Sequence, residues 1–105
     1  MSYTFSASLL DNIPEIPPDS ILSRTVYSDD QVKVVLFGFA QGQELSEHTA
    51  SMPAIIHILE GEARILLGAD SYEGCPQTWI HMPANLSHSV YAKSTLYMLL
   101  YLLKL

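Results

Sequence analysis

Histidine is the residue type in this sequence best suited to binding or catalysis, and all four copies fall in one stretch of the chain. They are His48, His57, His81 and His88. Imidazole is the commonest metal ligand among side chains and a natural proton carrier near neutral pH. A histidine on a strand is also often a hydrogen-bonded core or surface residue. The grouping therefore predicts either a ligand-binding site or a structural cluster.

Short apolar runs separated by turn residues must position these histidines. Their spacing is typical of an all-β domain, and no long segment shows helical periodicity with start and stop signals. Such short strands need two packed sheets or a closed barrel to protect their edges. The predicted strands lie near Ile21–Tyr27, Val32–Ala40, Glu44–Thr49, Ala54–Glu60, Ala63–Leu67, Ser71–Glu73, Thr78–Met82, His88–Ala92 and Leu96–Leu103.

The length and composition predict one globular domain. The chain has 105 residues, of which 49% are hydrophobic and 15% are charged, which is enough for one core and too little for two. The segment 1–20 ends in a proline cluster, Pro14, Pro17 and Pro18, and proline restricts the backbone. We therefore expect an extended N-terminal arm over 1–20 and a single barrel over 21–105.

The charge and the apolar segments limit the possible partners. A net charge of −6 argues against nucleic acid, which needs a basic surface, and disfavours anionic membranes. The apolar tail from Leu96 to Leu105 is about half the length of a membrane span. The N-terminus lacks the pattern of a signal peptide. We expect a cytoplasmic protein that binds a small molecule.

Two stretches of the chain resemble the paired motifs of the cupin family. Residues Gly42 to Gly61, GQELSEHTASMPAIIHILEG, resemble the first cupin motif, and residues Gln77 to His88, QTWIHMPANLSH, resemble the second. With the strand pattern, the resemblance covers roughly residues 30 to 103. It implies an all-β cupin-type double-stranded β-helix, a jelly-roll barrel, which often holds a metal with three histidines and a glutamate.

Only part of that ligand set stands at the matching positions. His48 matches the first histidine and His88 the last, but Ala50 occupies the second histidine position and Ala54 the glutamate position. Two imidazoles alone make an incomplete site for zinc or iron. These departures put the family's oxalate decarboxylation and iron-dependent dioxygenation in question for this chain.

Two glycine positions of the second motif are also replaced. Gln77 stands at the first of them and Asn85 at the later one. Asparagine tolerates the left-handed backbone that such turns use. We therefore expect the replacement at Asn85 to disturb the motif less.

A third ligand would have to come from His57 or His81. Side chains alternate faces along a strand, so an inward Ala54 implies that His57 faces outward. A β-bulge near Pro53 would reverse this, and the set His48, His88 and His57 would then bind a divalent metal such as zinc, iron, nickel or manganese.

The alternative places His57 and His81 together on the outer face of the barrel. There the N-terminal arm or a second subunit would cover them. In that case the two histidines are structural and do not bind a metal.

These observations leave two functional hypotheses open. In the first, the chain is a small cupin of unassigned reaction, whose histidine-lined pocket binds a divalent metal, a small organic molecule or both. In the second, it is a metal-free small-molecule-binding or structural module without catalysis. The fold alone does not choose between an enzyme and a binding protein.

The last predicted strand points to a partner. The tail from Leu96 to Leu105 has apolar residues on both faces, so we expect it to be covered on both. A second copy of the chain is the expected cover. The sequence thus predicts a homodimer with this strand at or near a two-fold interface.

Overall fold

Nine β-strands account for the fold of residues 2–104, which the computed structural model describes. A 3-10 helix, Leu9–Asn12, precedes them. The all-β prediction is confirmed, and the bounds lie within a few residues of those expected. The strands are β1 (Ile21–Ser28), β2 (Val32–Phe39), β3 (Glu44–His48), β4 (Ala54–Glu60), β5 (Ala63–Leu67), β6 (Asp70–Gly74), β7 (Trp79–Met82), β8 (His88–Ala92) and β9 (Leu96–Leu103).

The strands form two antiparallel sheets. One has the order β1-β2-β9-β4-β7 and the other has the order β3-β8-β5-β6. Strand neighbours are mostly distant in sequence, as in a jelly roll, so the chain crosses repeatedly between the sheets. Within the described residues, no helix is long and apolar enough to cross a membrane.

The core lies between the two sheets, and its buried residues come from β2, β4, β5, β7, β8 and β9. On β4, Ala54, Ile56 and Ile58 point inward, each at most 2% exposed. Burying one large aliphatic side chain contributes about 1.5–3 kcal/mol, so this cluster dominates the stability of the barrel. Its buried members are Phe39, Ala54, Ile56, Ile58, Ala63, Ile65, Met82, Val90, Ala92, Leu96 and Met98.

The N-terminal arm packs against the outer face of the five-stranded sheet. Ile13 forms a second buried cluster with Leu36 and Leu99, and the Tyr97 hydroxyl donates a hydrogen bond of 3.1 Å to the Ile13 carbonyl. The arm differs from the extended segment that its prolines predict, because it contains the 3-10 turn before them. Leu99 is therefore covered by the chain's own arm, where the sequence predicted a second copy.

A glycine turn brings β4 and β5 close to the loop that enters β9. Gly61 has φ +91°, and a Cβ atom there would lie 2.0 Å from the Thr95 carbonyl oxygen. Gly42 also has a positive φ, +86°, but a Cβ atom there would meet no atom within 4 Å. A substitution at Gly42 would therefore cause backbone strain alone, whereas one at Gly61 would cause both strain and steric overlap.

We expect Gly61→Ala to destabilise the protein far more than Gly42→Ala. The left-handed backbone alone costs a non-glycine residue about 1–3 kcal/mol, and overlap with a backbone oxygen raises the loss at Gly61 above about 4 kcal/mol. Urea unfolding followed by the fluorescence of Trp79, the single tryptophan, measures both. Equal losses in the two variants would contradict the close approach at Thr95.

Candidate functional site

His48 and His88 form a pair at one end of the four-stranded sheet. The two residues are partners in the β3–β8 register, and their ring centroids lie 4.2 Å apart with planes inclined by 57°. His88 is 7% exposed, whereas His48 is exposed. The pair therefore has one ring set into the barrel and one open to solvent.

An irregularity in β3 creates this pairing. Leu45 pairs with Val90 and His48 with His88, so three residues of β3 span two residues of β8. Leu45 packs against the core, and strict alternation from it would turn His48 outward. The extra residue, a β-bulge, turns His48 to the side of His88 instead.

Backbone carbonyls fix the protonation pattern of both rings. The Nδ1 atom of His48 lies 2.7 Å from the Ser46 carbonyl oxygen, and that of His88 lies 2.9 Å from the Leu86 carbonyl oxygen. A carbonyl oxygen only accepts, so each Nδ1 carries a proton and donates it. In each neutral ring the Nε2 atom then presents an unshared lone pair.

Ser46 and Leu86 could not be predicted from the sequence as orienting residues, because they act through the backbone. In both motifs the acceptor lies two residues before the histidine, at Ser46 and Leu86. The recurrence of this spacing is visible only once the hydrogen bonds are known. Side-chain type gives no signal for a carbonyl contact.

Ala50 and Ala54, which stand at two of the expected ligand positions, take part in hydrogen bonding and core packing. Ala54 is 2% exposed within the core and pairs with Met82 and Leu102 on the neighbouring strands. The Ala50 carbonyl accepts a hydrogen bond of 2.7 Å from the Asn85 backbone N–H. Neither residue offers a side-chain donor to the histidine pair.

His57 and His81 lie on the outer face of the five-stranded sheet, as the second interpretation of these residues expects. The β4–β7 register is regular, with Ile55 opposite His81 and His57 opposite Trp79. The bulge considered near Pro53 is absent from this pairing. The structure therefore does not bring His57 to His48 and His88.

The protein's donor set does not fit the resident metal centre that the resemblance implies. That centre uses three imidazoles and a carboxylate, and this site has two imidazoles. Within residues 2–104, no group of three histidine, cysteine or acidic side chains is arranged to hold a metal ion. Two nitrogen donors leave a zinc or iron ion short of the three or four protein ligands that it prefers.

The residues at the two glycine positions of the second motif both have a left-handed backbone. Asn85 has φ +67° and Gln77 has φ +79°. Asparagine adopts this left-handed conformation readily, whereas glutamine does so at a cost. Asn85 thus supplies a left-handed residue in the turn that leads from β7 to His88.

Hydrogen bonds lower the pKa of two carboxyl groups on the surface of the protein. The Lys93 ammonium, hydrogen-bonded to Glu73, lowers the pKa of that carboxyl group. The Tyr27 hydroxyl lowers the pKa of Asp29 in the same way. Both carboxylates are solvent-exposed, where ion pairs and hydrogen bonds contribute little to stability.

Solved structures from several bacteria share this fold and part of the sequence. No protein-family model matches the sequence, and no curated protein matches it. A conserved protein of unknown function from Streptococcus pyogenes is 32% identical, with a TM-score of 0.83, covering 100% of this chain and 96% of that one.

Two further structures connect the fold to a superfamily. A cupin superfamily protein from Desulfitobacterium hafniense is 29% identical, with a TM-score of 0.80, covering 85% of this chain and 82% of that one. An RmlC-like cupin from Desulfovibrio desulfuricans is 22% identical, with a TM-score of 0.81, covering 97% and 98% of the two chains. The second likeness concerns the fold alone.

We expect the neutral rings of His48 and His88 to carry their proton on Nδ1. Histidine-selective ¹H–¹⁵N correlation spectra, recorded well above the ordinary histidine pKa of about 6.5, distinguish the two tautomers. The variants His57→Gln and His81→Gln remove the other two ring signals and so assign the spectrum. An Nε2–H tautomer at either residue would show that the carbonyl contact does not orient that ring.

Proposed function

Since this chain is a member of the cupin superfamily, we propose that it binds a small organic molecule through His48 and His88 at one end of its four-stranded sheet. The observation that supports this most is the orientation of the two imidazoles. Each ring is held by a backbone carbonyl at Nδ1, which leaves Nε2 as the free polar atom. Two such atoms on neighbouring strands make a paired acceptor.

The two Nε2 acceptors determine which hydrogen-bonding groups the ligand must carry. A neutral Nε2 atom accepts a hydrogen bond and donates none, so the ligand must supply donors. Hydroxyl groups on adjacent carbons match two acceptors on adjacent strands. We therefore propose a hydroxylated ligand, with a vicinal diol as the simplest representative.

Apolar residues that neighbour the pair in sequence or in strand register favour an apolar body on that ligand. Leu67 is the partner of His88 in the β5–β8 register, and Leu67, Leu86 and Leu45 all pack against the core cluster. Small-molecule sites are commonly apolar with a few placed polar groups. A compact hydrocarbon ring carrying hydroxyl groups meets both conditions.

A second candidate is an exchangeable divalent ion. The free Nε2 atoms of His48 and His88 are of the type that binds zinc, nickel or iron. With two protein donors, such an ion would depend on the organic ligand or water for its remaining coordination. This candidate differs from the first in requiring both the ion and the ligand.

The first candidate is tested with a matched pair of probes. We expect trans-cyclohexane-1,2-diol to bind and its dimethyl ether to bind at least about tenfold more weakly, because the ether keeps the hydrocarbon ring but cannot donate hydrogen bonds. Chemical-shift titration of the metal-free protein gives both affinities. His48→Ala and His88→Ala are expected to abolish the difference, whereas His57→Ala preserves it.

The titration also separates the two candidates. Equal binding of diol and ether, or a preference that survives both His48→Ala and His88→Ala, would contradict the proposal. A preference that appears only after Zn²⁺ is added would favour the exchangeable ion. Near-stoichiometric metal in protein purified without a tag or chelator, lost in either variant, would show a resident metal and overturn the first candidate.

A further inference from the structure

The outer face of the four-stranded sheet contains a groove that is separate from the histidine pair. Its volume is about 330 Å³. The residues that alternate with its lining on β5 and β8, such as Ile65 and Val90, belong to the core cluster, so the lining side chains point away from the core. The lining residues are Glu44, Arg64, Leu66, Ser89 and Tyr91.

The floor of the groove is formed by Ser89, a small residue with larger side chains beside it. Ser89 pairs with Leu66 on β5 and lies two residues before Tyr91 on β8, so all three share one face of the sheet. Ser89 is only 4% exposed although it faces outward. Within residues 2–104, its hydroxyl group forms no side-chain hydrogen bond. The floor therefore offers a polar group to a molecule that enters the groove.

Opposite charges stand on the two sides of the groove. Glu44 on β3 and Arg64 on β5 are both register partners of Tyr91 on β8, so their Cα atoms lie about 10 Å apart across that strand. Glu44 is exposed and takes part in neither of the two ion pairs of the described chain. The groove thus has an unpaired carboxylate on one side and a guanidinium group on the other.

Arg64 keeps positive charge for a further partner despite its ion pair with Glu73. That pair joins the Nε atom of Arg64 to the Glu73 carboxylate at 3.4 Å, and the terminal N–H groups of the guanidinium remain as donors. The ammonium group of Lys93 also donates a hydrogen bond to the Glu73 carboxylate. One carboxylate is therefore shared between two cations, and this side of the groove has an excess of positive charge.

We propose that the groove binds a small zwitterion, an amino acid whose ammonium and carboxylate groups are separated by a short hydrocarbon chain. The ligand's carboxylate accepts hydrogen bonds from Arg64, and its ammonium group donates to Glu44. The hydrocarbon chain lies between them, across Leu66 and the ring of Tyr91. The Ser89 hydroxyl is available to either polar end.

The two opposite charges also select against simpler ligands. The Glu44 carboxylate repels a plain anion, and Arg64 repels a plain amine. A zwitterion satisfies both residues at once, whereas a ligand with a single charge meets one partner and one repulsive group. The charge pattern therefore favours the zwitterion over either half of it.

Chemical-shift titration with ε-aminocaproate, hexanoate and hexylamine tests the proposal. We expect ε-aminocaproate to bind saturably, and each of the other two to bind at least about fivefold more weakly, because each lacks one charge-assisted contact at a partly exposed site. Glycine has both charges but no hydrocarbon chain, so it should also bind more weakly. The largest shift changes are expected at the backbone amides of Leu66, Ser89 and Tyr91.

Two exposed variants assign each end of the ligand. In Arg64→Gln, ε-aminocaproate and hexylamine should bind with equal affinity, since the carboxylate has lost its partner. In Glu44→Gln, ε-aminocaproate and hexanoate should bind equally. The matched controls Arg24→Gln and Glu60→Gln change exposed residues of the other sheet and should preserve both preferences.

Any of three outcomes contradicts the zwitterion site. The first is equal affinity of the unaltered protein for ε-aminocaproate, hexanoate and hexylamine, or no binding of any of them. The second is a preference that persists in both Arg64→Gln and Glu44→Gln. The third is a set of shift changes that leaves out the lining of the groove.

Discussion

The central position of β9 is the constraint on which the rest of the structure depends. This strand pairs with β2 on one side and β4 on the other, and it is covered on both faces. Leu96 and Met98 point into the core, while Leu99 lies under the arm. A strand buried in this way can carry apolar residues at every position, which explains the unbroken run near the C-terminus. The barrel core and the arm are both held to the same strand.

The two sheets differ in how strictly strand pairing fixes the direction of the histidine side chains. β4 lies between β9 and β7, and its register with β7 is regular over Ala54 to His57. Ala54 is therefore fixed in the core and His57 on the outside. β3 is an edge strand with one neighbour, and an edge accommodates a bulge more easily than a central strand. That freedom allows His48 to turn towards His88.

The barrel fold of this chain does not depend on metal-ligand side chains at positions 50 and 54. Ala54 packs among core side chains, and Ala50 contributes a backbone carbonyl to hold Asn85. Ladder hydrogen bonds and apolar burial do not require the side chains of a metal centre. Gln77 and Asn85, in the turns before and after β7, both adopt the left-handed backbone. The scaffold and the orientation of His88 thus remain available for a different ligand, because function resides in the site and not in the fold.

The sequence by itself determined the strands, the turns and the two histidine positions that meet. Alternation and turn residues act over a few neighbours, so the bounds of β2, β4 and β9 could be predicted, and so could the outward face of His57 once Ala54 was placed inward. Three features were decided only by the tertiary structure: the bulge before His48, the carbonyl contacts at Ser46 and Leu86, and the arm that covers Leu99. The bulge and the cover on Leu99 depend on segments that are distant in the chain. The carbonyl contacts depend on a backbone path that residue type does not specify.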